Sequence, residues 1–106
     1  MSAAQAGGYA VIFIARRAPD AEDGGYEDAA TRMGSLARAM PGYLGHDSAR
    51  GADGLGITVS YWRDLRDIAR WRAHPEHARV IAEARARGWY LGYESVTARI
   101  ERVTRR

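Results

Sequence analysis

Hydrophobic residues near the start of the chain form a continuous run, and those that follow recur at helical spacing. Residues 9–15 are apolar, rich in β-branched and aromatic side chains and free of breakers, which predicts a strand. Both faces of this strand are apolar, so both are expected to be buried. From residue 26 to residue 40 the apolar positions lie on one face of a helix, and Pro41-Gly42 ends that helix.

Two shorter segments in the middle of the chain are typical of a β-hairpin. Residues 43–49 predict a weak strand and residues 57–62 a stronger one, and the turn at 50–54 between them contains two glycines. Because this turn does not lie between a strand and a helix, its glycines do not indicate a dinucleotide-binding loop.

The last part of the chain predicts a helical region in two segments and a final strand. Asp64 is a favourable N-cap, and His74-Pro75 interrupts the helix before a second segment that runs from residue 75 to about 89. Gly92 is expected to break the chain, and residues 94–103 predict the fourth strand.

The predicted order is β-α-β-β-α-β, which is the ferredoxin-like arrangement of the α+β class. In this fold a four-stranded antiparallel sheet carries two helices on one face and leaves the other face open. Since the first strand is apolar on both sides, the open face would be an exposed apolar patch, which soluble proteins usually avoid. We therefore expect a homodimer in which two such sheets pack face to face about a two-fold axis.

Length and composition indicate one globular domain. The chain has 106 residues, of which 46% are hydrophobic and 27% charged, and this composition excludes disorder. Residues 1–8 are small and glycine-rich and are expected to form a flexible N-terminus, and residues 9–106 form the domain. No signal peptide is visible and the longest apolar run is too short to span a bilayer, so we expect a cytoplasmic protein with no membrane partner.

The lack of cysteine and the distribution of charged residues exclude several kinds of site and partner. There is no cysteine, which excludes disulfides, thiolate nucleophiles and cysteine-ligated metals. All sixteen basic residues are arginine, and part of the net charge of +3 comes from a C-terminal cluster. Because acids and arginines alternate evenly elsewhere, we interpret that cluster as a solvated strand end and expect no nucleic-acid partner.

His77 is the residue that points most directly to chemistry. With Ile81, Ala84 and Gly88 it lies on one stripe of the second helical segment, which is expected to face the sheet. A histidine there could act as a general base or as a metal or haem ligand, and it could equally be a core or capping residue. His74 is expected to be exposed, and without a third ligand the His-x-x-His spacing does not favour zinc.

Aromatic residues are concentrated between positions 61 and 93. In a small domain they usually form the core, but this many, with polar groups, also suit a pocket for a flat aromatic ligand. Asp67 and Trp71 share a helix face, and helix capping is the simpler role for Asp67. The aromatic residues concerned are Tyr61, Trp62, Trp71, Trp89, Tyr90 and Tyr93.

Four segments are distinctive: Met40-Pro-Gly-Tyr-Leu-Gly45, Gly56-Ile-Thr-Val-Ser-Tyr-Trp62, Trp71 followed by His74-Pro-Glu-His77, and Trp89-Tyr90. With them, residues 9–103 resemble the antibiotic biosynthesis monooxygenase family. The resemblance implies the dimeric α/β-barrel form of the fold. The family includes cofactor-free oxygenases that oxidise polycyclic quinols and anthrones, haem-degrading enzymes, and members with no known substrate.

The two catalytic branches of that family differ in how well they match. The haem-degrading branch uses an Asn, a Trp and a His; this chain has no Asn, and Ile81 stands at the histidine position, so His77 would have to substitute. The cofactor-free branch uses an Asn and a Trp near a helix start. Trp71 matches this Trp, and Asp67 occupies the place of the Asn, with a carboxylate instead of an amide.

Three hypotheses for function follow. The first is a cofactor-independent monooxygenase with His77 as the base, Trp71 and Asp67 as further catalytic residues, and no cofactor. The second is a non-catalytic dimer that binds a small aromatic ligand or serves an accessory role. The third is a haem-binding or haem-degrading protein. In the first, the residues expected to bind the substrate are Trp62, Tyr61, Tyr93 and Trp89.

Overall fold

The computed structural model describes residues 2–21 and 24–106, and within these ranges the chain forms a four-stranded antiparallel sheet and three helices. Met1, at the start of the predicted flexible N-terminus, lies outside the described residues. The predicted ferredoxin-like order is confirmed, with the second helical region divided in two. The elements are β1 (Tyr9–Arg17), α1 (Tyr26–Arg38), β2 (Tyr43–Arg50), β3 (Leu55–Trp62), α2 (Leu65–Ala73), α3 (Pro75–Arg87) and β4 (Tyr90–Arg99).

The strand β1 lies inside the sheet, whose order is β2-β3-β1-β4. Its residue Val11 pairs with Ser60 on one side and Thr97 on the other, and these three share one face of the sheet. The helices cover this face, since Arg72 of α2 donates a hydrogen bond to Thr97. The adjacent residue Ile12 therefore points to the opposite, open face.

Local capping explains why the second helical region is divided. The carboxylate of Asp64 accepts a hydrogen bond from the backbone N–H of Asp67 at 3.0 Å, and so caps α2 as its sequence position predicts. His74 is extended and ends α2, and its ring nitrogen then accepts from the backbone N–H of Glu76 at 3.1 Å. With Pro75 in the first turn, α3 starts in a new direction.

The strand β4 begins and ends earlier than predicted. Gly88 adopts a left-handed conformation, with φ of 64°, and ends α3, so that the strand begins at Tyr90 instead of residue 94. Gly92 lies inside the strand and pairs with Arg16, next to a register shift between Arg16 and Arg17. The glycine thus accompanies an irregularity in the sheet and does not break the strand.

The core between helices and sheet is centred on two large aromatic residues, Tyr26 and Trp89. The buried stripe of α3 runs through Val80 and Ala84, and His77 lies at its edge, half-buried. The buried side of α3 therefore differs by one residue position from the predicted stripe. Residues three and four apart lie on the same side of a helix, so the predicted and observed stripes both contain Ala84. Gly88, expected on the stripe, is exposed.

The two ends of the described chain lie side by side. Gly7 donates a backbone hydrogen bond to Ile100 at 2.8 Å, and Ile100 donates one to Gly8 at 2.9 Å. The guanidinium of Arg105 donates to the carbonyl oxygen of Ala4 at 2.7 Å. In the described part of the chain, none of the helices has the length and apolarity that crossing a membrane requires.

We expect replacement of Trp89 by alanine to destabilise the fold by about 3–5 kcal/mol, because a buried ring would be lost and a cavity left. Trp89 is 2% exposed, and its indole N–H donates to the carbonyl of Gly24. Leu65, which is 53% exposed, supplies the control, since Leu65→Ala should change the unfolding free energy by less than about 0.5 kcal/mol. Urea unfolding measures both; a loss below about 1 kcal/mol for Trp89→Ala would contradict the assigned core.

Candidate functional site

The junction between α2 and α3 brings three ring side chains together. The ring of His77 meets the indole of Trp71 edge-on, with centroids 4.9 Å apart and an interplanar angle of 69°. The ring of His74 contacts the same indole, with centroids 5.8 Å apart. Because the chain turns at His74-Pro75, the first turn of α3 is placed against the last turn of α2. The structure thus brings together Trp71 and His77, two of the predicted catalytic residues.

The surroundings of His77 favour its neutral form. Burial lowers the pKa of its imidazole, and the charge of Arg72, followed by the proximity of His74, lowers it further. The ordinary histidine pKa is about 6.5, so the ring is mainly unprotonated at neutral pH. A half-buried neutral imidazole beside an aromatic wall is suited to accept a proton. His74, in contrast, already uses its ring nitrogen to cap α3.

Hydroxyl groups line the face of the sheet that the helices cover. The indole N–H of Trp62 donates to Ser60 at 2.9 Å, and Arg72 donates to Thr97 at 3.0 Å. Trp62 is 1% exposed and packs edge-on against Tyr43, with centroids 5.4 Å apart. It therefore forms a fixed wall at the end of β3, on the same side of the sheet as the helices.

Asp67 is 1% exposed and lies in the first turn of α2. Its carboxylate is within 3.3 Å of the guanidinium of Arg63 and 3.5 Å of that of Arg70. Within the described residues, no hydrogen bond reaches its Oδ2 atom, because the contact with Arg63 has ion-pair distance without hydrogen-bond geometry. The same carboxylate packs against the backbone of Gly42.

We expect Gly42→Ala to destabilise the protein more than a glycine substitution with backbone strain alone. Gly42 has a φ of 81°, and an added Cβ would overlap the carboxylate of Asp67. Gly7 is the matched control: its φ is 86°, but nothing lies within 4 Å of the added atom. Gly7→Ala should cost about 1–2 kcal/mol, and Gly42→Ala a further 1–3 kcal/mol or so from overpacking. Equal losses in thermal or urea unfolding would show that Asp67 moves away freely.

The remaining predicted ligand-binding residues lie in other places. Tyr61 faces the open side of the sheet and donates to Asp47 at 2.9 Å, and burial together with this bond raises its pKa. Tyr93 is 53% exposed on β4. Trp89 is held in the core by Gly24, at the opposite end of the sheet from Trp62. Sequence alternation correctly placed Tyr61 and Trp62 on opposite faces.

A second group of residues was not predicted from the sequence. Tyr26, Arg17 and Arg50 meet where β1 and β2 end and α1 begins, beside a small cavity of about 30 Å³. These residues come from three elements, so no local motif connects them. Among the described residues, no three side chains of His, Cys, Asp or Glu are grouped as a metal ion would require.

Known proteins resemble this chain in sequence and in fold. The family described as antibiotic biosynthesis monooxygenase matches residues 9–83. The uncharacterized protein YqjZ of Bacillus subtilis (strain 168) is 45% identical over 97 residues, which cover 92% of this chain and 80% of YqjZ.

Two solved structures share the fold at low sequence identity. Rv0793 from Mycobacterium tuberculosis superposes with a TM-score of 0.76 at 18% identity, covering 92% of this chain and 99% of that one. SnoaB, a cofactor-independent oxygenase from Streptomyces nogalater, superposes with a TM-score of 0.75 at 16% identity, covering 92% and 97% of the two chains.

Proposed function

Because the chain belongs to the antibiotic biosynthesis monooxygenase family, we propose that it is a cofactor-independent monooxygenase that oxidises a polycyclic aromatic phenol, quinol or anthrone with dioxygen. The observation that carries this proposal is the half-buried His77, held edge-on against Trp71 with its pKa lowered by burial. A cofactor-free oxidation requires one positioned base and an aromatic wall, and these two residues supply them.

For an anthrone, the proposed reaction begins when the neutral imidazole of His77 takes a proton from the ring CH₂ group. The substrate anion transfers one electron to dioxygen, and the resulting radical and superoxide combine to form a carbon–oxygen bond. The peroxide anion takes the proton back from the imidazolium. Loss of water then breaks the O–O bond and leaves a carbonyl. Anthrone and dioxygen thus give a quinone and water, and His77 returns to its neutral form.

We place the substrate on the covered side of the sheet, between Trp71 and Trp62. Asp67 would act there through the buried turn at Gly42. Tyr93 pairs with Ala15, toward the opposite end of β1 from Trp62, and would lie outside this site. Tyr61 faces the open side of the sheet, and Trp89 is bonded within the core. We therefore propose that neither residue contacts the substrate: Tyr61 lies on the opposite face, and Trp89 contributes to packing.

We further propose that two copies of the chain associate through the open face of the sheet. The residues Ile12, Ile14, Ile57, Val59 and Val96 share this face by their register, and Ile57 and Val96 are 40% and 42% exposed. The chain exposes 6936 Å² of surface, whereas a monomer of its mass ordinarily exposes about 5,900 Å². The excess is what an unpaired half of a dimer would show.

A non-catalytic ligand-binding protein is the second candidate, and position 67 favours it. The carboxylate of Asp67 is directed at the turn around Gly42 and is neutralised by Arg63 and Arg70. It does not supply the neutral amide found in the cofactor-free branch. In this alternative the aromatic residues would hold a ligand without oxidising it.

Dioxygen uptake by the purified protein in metal-free buffer distinguishes the two candidates. With a simple anthrone, we expect one dioxygen consumed for each quinone formed, at a rate proportional to protein concentration. Binding of the anthrone without uptake would support the second candidate. A Soret band on addition of haem, with no uptake from anthrones, quinols or phenols, would overturn the first proposal in favour of a haem protein.

A further inference from the structure

Arg72 is a charged residue on the helix-covered face of the sheet, and the reaction described above does not use it. Its guanidinium donates to the hydroxyl oxygen of Thr97 at 3.0 Å, which joins the end of α2 to β4. Within the described residues no carboxylate forms an ion pair with Arg72, whereas the carboxylate of Asp67 is shared by Arg63 and Arg70. Arg72 therefore brings to this face a positive charge that is held by a neutral group.

A row of three residues across the sheet relates Arg72 to the proposed substrate site. Ser60, Val11 and Thr97 are paired in register on β3, β1 and β4. The indole of Trp62 is bonded to Ser60 at one end of this row, and Arg72 is bonded to Thr97 at the other. Because neighbouring strands lie about 4.8 Å apart, the two ends are separated by about 10 Å. A planar ligand on this row would have an aromatic wall at one end and a cation at the other.

The edge of the covered face beside Arg72 is open to solvent. The strand β4 is at the edge of the sheet, and Ser95 and Thr97, on its covered side, are exposed. Val11, the next residue of the row, is only half-buried. Arg72 is itself exposed, so its side chain can turn from Thr97 to a ligand while α2 stays folded. A ligand can therefore reach the guanidinium from the β4 side without a closed cavity.

Arg72 is also close to the proposed base. Its neighbour on α2, Trp71, contacts the ring of His77 with centroids 4.9 Å apart. After burial, the charge of Arg72 is the next cause that lowers the pKa of His77. When a phenol or an anthrone gives a proton to His77, negative charge develops on the oxygen of the substrate, and a positioned cation stabilises that charge.

We propose that Arg72, together with the hydroxyl of Thr97, binds the substrate oxygen that becomes negative, so that the site selects ligands that ionise at a ring oxygen. The guanidinium has further N–H donors besides the one on Thr97, and the Thr97 hydroxyl, which accepts from Arg72, keeps its own proton to donate. The inference rests on the oxygenase site proposed above but not on its turnover. The opposing interpretation is that Arg72 only ties α2 to β4.

Ionisation of a bound phenol that is already at the quinone level tests the proposal on the full chain. The probe is 2-hydroxyanthraquinone, a tricyclic phenol with one titratable hydroxyl, whose visible absorption moves to longer wavelength when it ionises. Its absorption is titrated against pH in metal-free buffer, with and without saturating protein. We expect the pKa of the bound phenol to lie roughly 1–3 units below that of the free phenol, the usual shift of an acid beside an opposite charge.

Three variants separate oxygen binding from a structural role. Arg72→Gln should remove most of the shift, and Arg66→Gln, which removes an exposed arginine from the same helix, should leave it unchanged. Thr97→Val breaks the tie to β4 but keeps the charge, so more than half of the shift should remain. If Arg72 only ties the two elements, Arg72→Gln and Thr97→Val should lower the melting temperature equally and leave the pKa of the bound phenol unchanged.

The outcomes also distinguish this inference from the proposed oxygenase activity. Absence of saturable binding, a bound phenol with the pKa of the free one, or an undiminished shift in Arg72→Gln would each overturn the inference, even if the protein consumed dioxygen with an anthrone. A lowered pKa that depends on Arg72, without dioxygen uptake from any anthrone, quinol or phenol, would support the inference and overturn the oxygenase proposal alone.

Discussion

Replacing His77 by alanine is expected to slow dioxygen uptake by about 10²- to 10⁴-fold, the usual contribution of a positioned base. The centroid of the imidazole lies 4.9 Å from that of the Trp71 indole, whereas the neighbouring His74 uses its ring nitrogen to cap α3. Because His77 lies at the edge of the buried stripe and not at its centre, the variant should remain folded. Added imidazole should restore part of the rate, which a purely structural role would not produce.

The pH dependence of the same reaction gives a separate readout. The folded state lowers the pKa of His77 below its ordinary value of about 6.5, so the base is neutral at pH 7. The rate should stay level near neutrality and fall as the pH drops through that lowered pKa. Acid also lowers the free energy of unfolding through this residue. Because the pKa of His77 is lower in the folded chain than in the unfolded chain, the unfolded chain binds the proton more readily, and His77 reduces stability below about pH 6.5.

The other two histidines of the chain serve as controls. His74→Ala removes the cap of α3 and should cost about 1 kcal/mol of stability, with the base retained. His46 is exposed on β2, next to the hydroxyl of Tyr43, and His46→Ala should affect neither rate nor fold. An active His77→Ala protein with an unchanged pH profile would remove His77 from the mechanism.

Replacing Ile12 by arginine is expected to abolish the proposed dimer. Ile12 lies on the open face of the sheet between Val59 and Val96, so the substitution would bury unpaired charges where two copies meet. A stable interface of standard size buries on the order of 1,600 Å², and such a charge at its centre costs several kcal/mol.

Light scattering at micromolar concentration measures this effect directly. The unmodified chain should have the mass of two copies, and Ile12→Arg the mass of one or an insoluble product. Thr31→Arg, on the exposed side of α1, adds the same charge away from the sheet and should remain dimeric. A single-copy mass for the unmodified chain would contradict the proposed association.

The features that were predictable from the sequence depend on neighbours along the chain. Asp64 caps α2 and His74-Pro75 separates α2 from α3, because caps and prolines act within one helical turn. The strand β1 was recognisable because its apolar run permits no amphipathic helix. The family resemblance rests on segments of the same local kind.

The features that could not be predicted depend on the three-dimensional arrangement. Gly92 resembles a chain break until β4 is paired with β1, where it faces Arg16 beside a register shift. The burial of Asp67 depends on the turn at Gly42, 25 residues earlier in the chain. For the same reason nothing local indicated that Arg17 and Arg50 would stack on the ring of Tyr26.

The indole hydrogen bonds of Trp62 and Trp89 make the two ends of the sheet separately observable. The indole N–H of Trp62 donates to Ser60, beside the start of β1. The indole N–H of Trp89 donates to Gly24, beside the end of β1. Each proton exchanges with deuterium only when its own end of the molecule opens. Two resolved indole resonances therefore report local opening free energies at the end near Asp67 and at the end near Tyr26.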